Sequence, residues 1–189
     1  LEKYTYEKNN DKKINKSKHK PFNKVIELKN ISYKYPETNK DILKNISLVI
    51  KSKSSIGIIG STGAGKSTLI NVLLGLLEPS YGQVLVDGNN INENYLMWQK
   101  QIGYISQDIY LSDDTIRRNI AFGIADDDIK EENVNRSIKL AQLNKFISDL
   151  PLGLDTVVGD RGIRLSGGQR QRIGIARALY RETEILVLD

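Results

Sequence analysis

The residues with the best means for chemistry fall in two short glycine-bearing stretches and one carboxylate. Gly60 to Thr68 reads GSTGAGKST. This is the GxxxxGK[ST] spacing, in which successive backbone N–H groups curl around phosphate oxygens where a helix begins. Gly60, Gly63 and Gly65 allow backbone angles and a close approach that a Cβ would block, so the main chain of Ser61, Thr62, Gly63, Ala64 and Gly65 can line the cradle. Lys66 can reach the β- and γ-phosphates of a nucleotide such as ATP, Ser67 can ligate Mg2+, and Thr68 can reach the α-phosphate from the first helical turn. Leu165 to Gln169 reads LSGGQ, where a Ser and two Gly directly before a helix make another anion site. One nucleotide needs only one cradle, so two imply a nucleotide shared between them. Asp189 follows the apolar run ILVL. A carboxylate at the C-terminal end of a buried strand lies where open α/β sheets bind ligands, and here it would hold Mg2+ through water.

These groups need a scaffold, and the hydrophobic pattern predicts one. VIELKNISYKY at Val25 to Tyr35 alternates apolar and polar positions, and NISLVI at Asn45 to Ile50 follows a turn at Pro36; the two predict a half-buried antiparallel edge pair. IGII at Ile56 to Ile59 predicts a strand buried on both faces of a mainly parallel sheet. A helix is expected from Lys66 to Leu77, burying Leu69, Val72, Leu73, Leu76 and Leu77, with Pro79 and Gly82 closing it. Further strands are expected at Gln83 to Val86, Ile102 to Ile105 and Ile185 to Leu188. Between Thr115 and Leu150 the spacing is helical, with Val134, Ile138 and Ala141 on one stripe and Leu143, Phe146, Ile147 and Leu150 on the next. A helix rich in Arg and Ala runs from LSGGQ to about Arg181.

Composition narrows the function classes. The 189 residues include no Cys, which excludes disulfides, thiolate metal sites and Cys nucleophiles, and the single His19 has no ligand set nearby. No run of 18 or more apolar residues is present to cross a bilayer as a helix. The net charge of +5 resides in residues 1–24, where eight Lys face Glu2, Glu7 and Asp11. The other 165 residues hold 20 basic and 20 acidic groups, so the body lacks the clustered cations of a nucleic-acid binder. The basic leader reads as a linker, and next to a membrane span its cations would suit an anionic cytoplasmic leaflet. With no initiator Met and no signal-peptide pattern, the sequence reads as a fragment.

From Val25 to Asp189 these motifs, in this order, resemble the nucleotide-binding domain of exporter-type ABC transporters. The resemblance implies an α/β fold of the P-loop NTPase class, an ABC-type core with an antiparallel edge sheet and an inserted helical subdomain at about 108–165. In that family LSGGQ is contributed by one subunit to the γ-phosphate of ATP held on the other subunit's P-loop. Ser166, Gly167, Gly168 and Gln169 would then contact ATP in trans, in a homodimer or heterodimer. Gln107 matches the Q-loop glutamine that senses Mg2+ and the attacking water, joining Lys66 and Asp189 as the implied catalytic set. Tyr35 matches the aromatic residue that stacks on adenine, with Tyr33 as the alternative. Thr156 to Gly162 (TVVGDRG) resembles the exporter loop that couples to the membrane domain, and DIYLSDDTIRRNIAFG from Asp108 is likewise exporter-like. Three positions depart from the pattern: Asp160 for the usual Glu, Lys53 for a Gly before the P-loop strand, and Thr183 for a Pro before the last strand.

The resemblance further implies ATP hydrolysis coupled to transport, a transmembrane domain of the same polypeptide upstream of Leu1, a place on the cytoplasmic face of the cell membrane, and no nucleic-acid partner. It also places the general base, a Glu, directly after Asp189 and a switch His further on, so the sequence as given is expected to bind ATP but hydrolyse it poorly. AQLNKFISDLPLGLDTVVGDRGIRLSGGQRQRIGIARALY resembles bacterial lipid-linked oligosaccharide flippases and lipid exporters, while peptide or drug export would leave the same marks. Two other readings stay open: a soluble ABC-type ATPase acting on DNA or ribosomes, and a regulatory nucleotide-binding module without turnover.

Overall fold

The computed structural model describes residues 22–36, 38 and 40–189, so His19 and nearly all of the basic leader lie outside the described residues. Alternation in the sequence produces β1 (Val25–Tyr33) and β2 (Leu43–Lys51), which pair antiparallel with Ile26 opposite Ile50 and Leu28 opposite Leu48. A register shift between Leu28 and Ile31, with Asn30 at φ 54, keeps Ile26, Leu28, Ile31 and Tyr33 all buried although the spacing changes from two to three. β3 (Tyr81–Val86) pairs along the other side of β1 and then with β4 (Asn89–Asn90), giving a four-stranded sheet of order β2-β1-β3-β4. The antiparallel sheet is therefore wider than the edge pair expected.

Against one face of this sheet lies α1 (Lys66–Leu73), whose Val72 and Leu73 join Ile26, Leu28, Val84, Ile91 and Trp98 in one apolar cluster. Each such fully buried side chain contributes about 1.5–3 kcal/mol. Trp98, on α2 (Tyr95–Lys100), donates its indole N–H to the Leu73 carbonyl at 2.7 Å and so ties the end of α1 down. The helix is shorter than the expected span to Leu77. Gly75 takes φ 69, its N–H reaches the Val72 carbonyl, and the Leu76 N–H reaches Asn71. This left-handed stop satisfies the last carbonyls and leaves Leu76 exposed.

The strand expected at Ile56–Ile59 is absent. Among the described residues no strand runs beside it to complete a ladder, and Ile59 is 95% exposed instead of buried on both faces. The parallel sheet consists of β5 (Ile102–Ile105) and β6 (Ile185–Leu188), in register from Ile102 opposite Ile185 to Ile105 opposite Leu188. A Cβ on Gly103 would come within 2.9 Å of the Ala178 carbonyl and 2.8 Å of Thr183 Oγ1, so only glycine lets β5 lie this close to the helix behind it. Thr183 donates its hydroxyl to that same Ala178 carbonyl, a bond that the Pro usual in the family would not make.

The helical region forms a second apolar cluster. α3 (Ile116–Ile120), α4 (Glu131–Leu140) and α5 (Asn144–Ser148) enclose Ile116, Ile120, Val134, Ile138, Ala141 and Leu143, with Phe146, Ile147 and Leu150 packed against it. Both helical stripes are as the spacing predicts. α6 (Gly167–Tyr180) closes the cluster with Ile173, Ala176 and Tyr180. Arg177 on α6 donates to the Asn119 and Tyr110 carbonyls, each at 2.8 Å, and lies 4.7 Å from the centre of the Phe122 ring. The fully buried Asn119 accepts the Ser112 N–H and donates to the Ser112 and Thr115 carbonyls, all at 3.0 Å. Burial of this amide is tolerable because its polar atoms are bonded.

Two stability predictions follow from the sheet. Gly82 has φ 88, and a Cβ there would lie 2.3 Å from the Lys29 carbonyl of β1. Gly82→Ala is expected to destabilise by about 3 kcal/mol in denaturant unfolding, and a loss below about 1 kcal/mol would show the backbone to be more compliant. Asp87 accepts the backbone N–H groups of Asn23, Lys24 and Val25 at 2.8–2.9 Å. Burial raises its pKa, but the N–H bonds and the Lys24 charge outweigh burial and hold it below the ordinary 3.8. A depressed carboxylate stabilises fully above the unfolded value and loses that contribution as pH falls through the folded one. Acid unfolding below about pH 3.8 should therefore be less steep in Asp87→Asn, and identical profiles would discount this latch.

Candidate nucleotide-binding site

Gly60 to Thr68 is a compact loop that turns into α1. Gly63 and Gly65 have φ 79 and 88, the left-handed region that favours glycine. Gly65 is constrained twice, because a Cβ there would also meet the Ile42 carbonyl at 3.1 Å. Lys66 turns inward, and its ammonium donates to the Gly60 carbonyl at 3.0 Å and the Ser61 carbonyl at 2.9 Å. The cation thus sits over the mouth of its own loop, where phosphate oxygens are stronger acceptors than carbonyls.

Ser67 and Asp189, 122 positions apart, meet here: the Ser67 hydroxyl donates to Asp189 Oδ1 at 3.4 Å. α1 supplies the serine from its first turn, and β6 delivers the aspartate just past its last residue, where the Asp189 N–H bonds the Ile105 carbonyl at 3.0 Å. One hydroxyl and one carboxylate at this separation fit Mg2+, which keeps several waters and takes its other oxygens from substrate phosphates. Among the described residues no group of three or more His, Asp or Glu side chains forms a cage for a metal by itself. The other carboxylate oxygen, Oδ2, accepts the Tyr104 hydroxyl at 3.3 Å. Burial first, then the Asp189 charge and this bond, raise the Tyr104 pKa above its ordinary 10.0. Tyr104 escapes a reading of the sequence, since only the parallel register of β5 with β6 brings it to Asp189.

Of the two tyrosines before the loop, Tyr33 is buried in the core and Tyr35 is 39% exposed. The Tyr35 hydroxyl lies 3.3 Å from Thr68 Oγ1, and its ring meets Tyr33 edge to face at a centroid distance of 5.1 Å. The register thus brings Tyr35, not Tyr33, to the loop. Lys53 adopts φ 59, which accounts for the glycine usual at that position in the family and marks a local cost in this chain.

Gln107 is exposed after β5, but no hydrogen bond among the described residues joins it to Ser67 or Asp189. It lines a cavity of about 310 Å³ with Asp108, Ile109, Gly167, Arg170 and Gln171, beside the start of α6. At that start Ser166 Oγ accepts the Gln169 N–H at 3.3 Å, while the Gln169 side chain accepts the Ser166 N–H at 2.7 Å. This capping box explains Ser166 and Gln169 within the chain. It does not explain the glycines: a Cβ on Gly168 would meet nothing within 4 Å, and one on Gly167 only the far end of Arg170. The loop Thr156 to Gly162 is held by antiparallel bonds to the segment after Gln107, Ile116 N–H to Thr156 O and Val158 N–H to Asp114 O, both at 3.0 Å. Asp160 is exposed on it.

Comparison with known proteins gives this geometry a context. The ABC transporter family model matches residues 43–189. The chain is 42% identical over 165 residues to the uncharacterized ABC transporter ATP-binding protein YfiB of Bacillus subtilis, aligning 87% of this chain with 28% of that protein. It is 44% identical over 166 residues to the ATP-dependent lipid A-core flippase of Coxiella burnetii, again 87% against 28%. With multidrug resistance protein 3 of Entamoeba histolytica the identity is 44% over 167 residues, 87% against 13%. A solved bacterial Atm1-family ABC exporter with ATP bound matches with a TM-score of 0.83 at 35% identity, covering 90% of this chain and 29% of that one. The chain therefore spans less than a third of the length of each of these relatives.

Proposed function

The chain belongs to the ABC transporter family, and on that premise we propose that it is the ATP-binding and ATP-hydrolysing domain of an exporter, powering transport through ATP-dependent head-to-tail dimerisation. In this reading residues 25–189 form the nucleotide-binding domain, with a helical subdomain at about 108–165 and residues 1–24 as a basic linker. The loop from Ser61 to Thr68 would hold the phosphates, Tyr35 would stack on adenine, and Ser67 and Asp189 would hold Mg2+, whose charge would offset that of the phosphates. Gln107 faces the metal and attacking water once the site is assembled. Ser166, Gly167, Gly168 and Gln169 grip the γ-phosphate bound to a second copy or a related domain. A transmembrane domain of the same polypeptide would take the other side of the loops after Gln107 and at Thr156 to Gly162, placing this domain on the cytoplasmic face of the membrane. Lipid, lipid-linked oligosaccharide, peptide or drug are the candidate cargoes; the names of the relatives, a lipid A-core flippase and a multidrug resistance protein, support lipid or drug and favour export over action on DNA or ribosomes.

One observation carries the reading. The chain holds a phosphate loop with its Ser67–Asp189 pair, and separately a helix start whose Gly167 and Gly168 nothing among the described residues requires. Glycines without an internal reason fit the close approach of another molecule. Closure is then driven by γ-phosphate contacts that exist only in the dimer, and hydrolysis removes them.

Two measurements on the full-length protein test this. Lys66→Ala should weaken ATP binding about 10- to 100-fold in an equilibrium titration, the worth of a charge-assisted hydrogen bond; unchanged affinity would remove the phosphate loop from the mechanism. Gly168→Val should leave the melting temperature and monomer ATP affinity unaltered while lowering ATP hydrolysis at least about tenfold. Full hydrolysis in that variant would be incompatible with a nucleotide gripped from both sides.

A further inference from the structure

We propose that Tyr104 is the positioning residue of the metal site: its hydroxyl holds the Asp189 carboxylate in the orientation that leaves Oδ1 facing Ser67. The inference rests on the reading of Ser67 and Asp189 as the Mg2+ pair. Three observations carry it. The two oxygens of Asp189 are used differently, Oδ1 accepting the Ser67 hydroxyl at 3.4 Å and Oδ2 the Tyr104 hydroxyl at 3.3 Å. Among the described residues no Lys or Arg forms an ion pair with Asp189, so Tyr104 and Ser67 are the side chains that orient it. The parallel register sets Tyr104 opposite Val187, so Asp189 lies two residues further along the neighbouring strand and on the same face.

That offset explains the residue type. Two residues of strand are about 6.6 Å, close to the length of a tyrosine side chain and beyond the reach of Ser or Thr. A lysine would also reach, but its charge would neutralise the carboxylate that Mg2+ needs. A phenol donates one neutral hydrogen bond, fixes the rotamer and leaves the negative charge for the cation. Groups that orient a metal ligand without touching the metal are commonly worth 10- to 100-fold in metal affinity or activity. Tyr104 is 39% exposed, so the low end of that range applies.

Tyr104→Phe removes one oxygen and keeps the ring, so the hydrogen bond to Asp189 is lost with little change in shape. The test uses the full-length protein, with Mn2+ as a spectroscopic stand-in for Mg2+. Mn2+ affinity in the presence of saturating ATP is read by electron paramagnetic resonance, and ATP affinity in EDTA by equilibrium titration. The expected result for Tyr104→Phe is about tenfold weaker Mn2+ binding with metal-free ATP affinity unchanged, a split that a merely structural role would not produce. Equal Mn2+ affinity in Tyr104→Phe and wild type, or a matching loss of metal-free ATP affinity, would overturn the proposal. Asp189→Asn in parallel separates the two levels: if it weakens Mn2+ and Tyr104→Phe does not, only the role of Tyr104 fails; if it has no effect, the assignment of the metal pair fails as well.

Discussion

The 3.4 Å approach of Ser67 to Asp189 is the constraint on which the rest of the structure depends. A short serine and a short aspartate have almost no reach, so their backbones must be placed by the fold to within about an ångström. The serine end is fixed by the left-handed Gly65, which starts α1, and by the packing of α1 on the antiparallel sheet through Val72 and Leu73. The aspartate end is fixed by β6, whose register against β5 is locked by Gly103 lying against the Ala178 carbonyl at the end of α6. The first apolar cluster thus supports both ends of one small polar site, through Val72 and Leu73 of α1 and through Ile102 and Ile185 of β5 and β6, while α6 links β5 to the second cluster.

The same economy of reach explains why the helical region is tied so firmly to α6. Arg177, near its end, takes the carbonyls of Tyr110 and Asn119, and Asn119 holds the turn from Ser112 to Thr115. The loop Thr156 to Gly162 then pairs with the beginning of α3. The segment after Gln107 is thus joined to the helix that begins with LSGGQ by bonded polar groups, where breaking any one leaves an unsatisfied partner.

Much of this was legible because its signals are local. GSTGAGKST, LSGGQ and the ILVL run before Asp189 each encode a backbone geometry within a few residues, and α4 and α5 announce themselves by a stripe from Val134 to Leu150. What was not legible depends on pairing across long sequence separations. Ile56–Ile59 has the composition of a buried strand, yet a strand needs a neighbouring backbone, and composition carries no information about whether one is there. β3 reads as a strand, but its antiparallel place beside β1 follows from Gly82 fitting under the Lys29 carbonyl. Tyr104 looks like an ordinary strand aromatic until the register of β5 and β6 is known. α1 is shorter than its leucine spacing implies for a different reason: leucines at helical spacing continue to Leu77, while a single left-handed Gly75 ends the helix first.

Both charge- and amide-bearing groups of the two cradles are satisfied by the chain itself. Lys66 bonds the Gly60 and Ser61 carbonyls, and the Gln169 amide oxygen takes the Ser166 N–H. A ligand that recruits either side chain exchanges one hydrogen bond for another, so the net gain is the difference in acceptor strength and not the full worth of a bond. For Lys66 that difference is large, because a phosphate oxygen is charged and a carbonyl is not. For Gln169 it is small, because its capping bond is already short and geometrically sound. In the proposed head-to-tail arrangement the second cradle would therefore draw its affinity mainly from backbone N–H groups exposed by Gly167 and Gly168 and from the dipole of α6, whose fourteen residues are capped within the chain itself. A helix start built in this way costs little ordering entropy at association, which would suit the proposed contact, formed with each nucleotide bound and broken with each one hydrolysed.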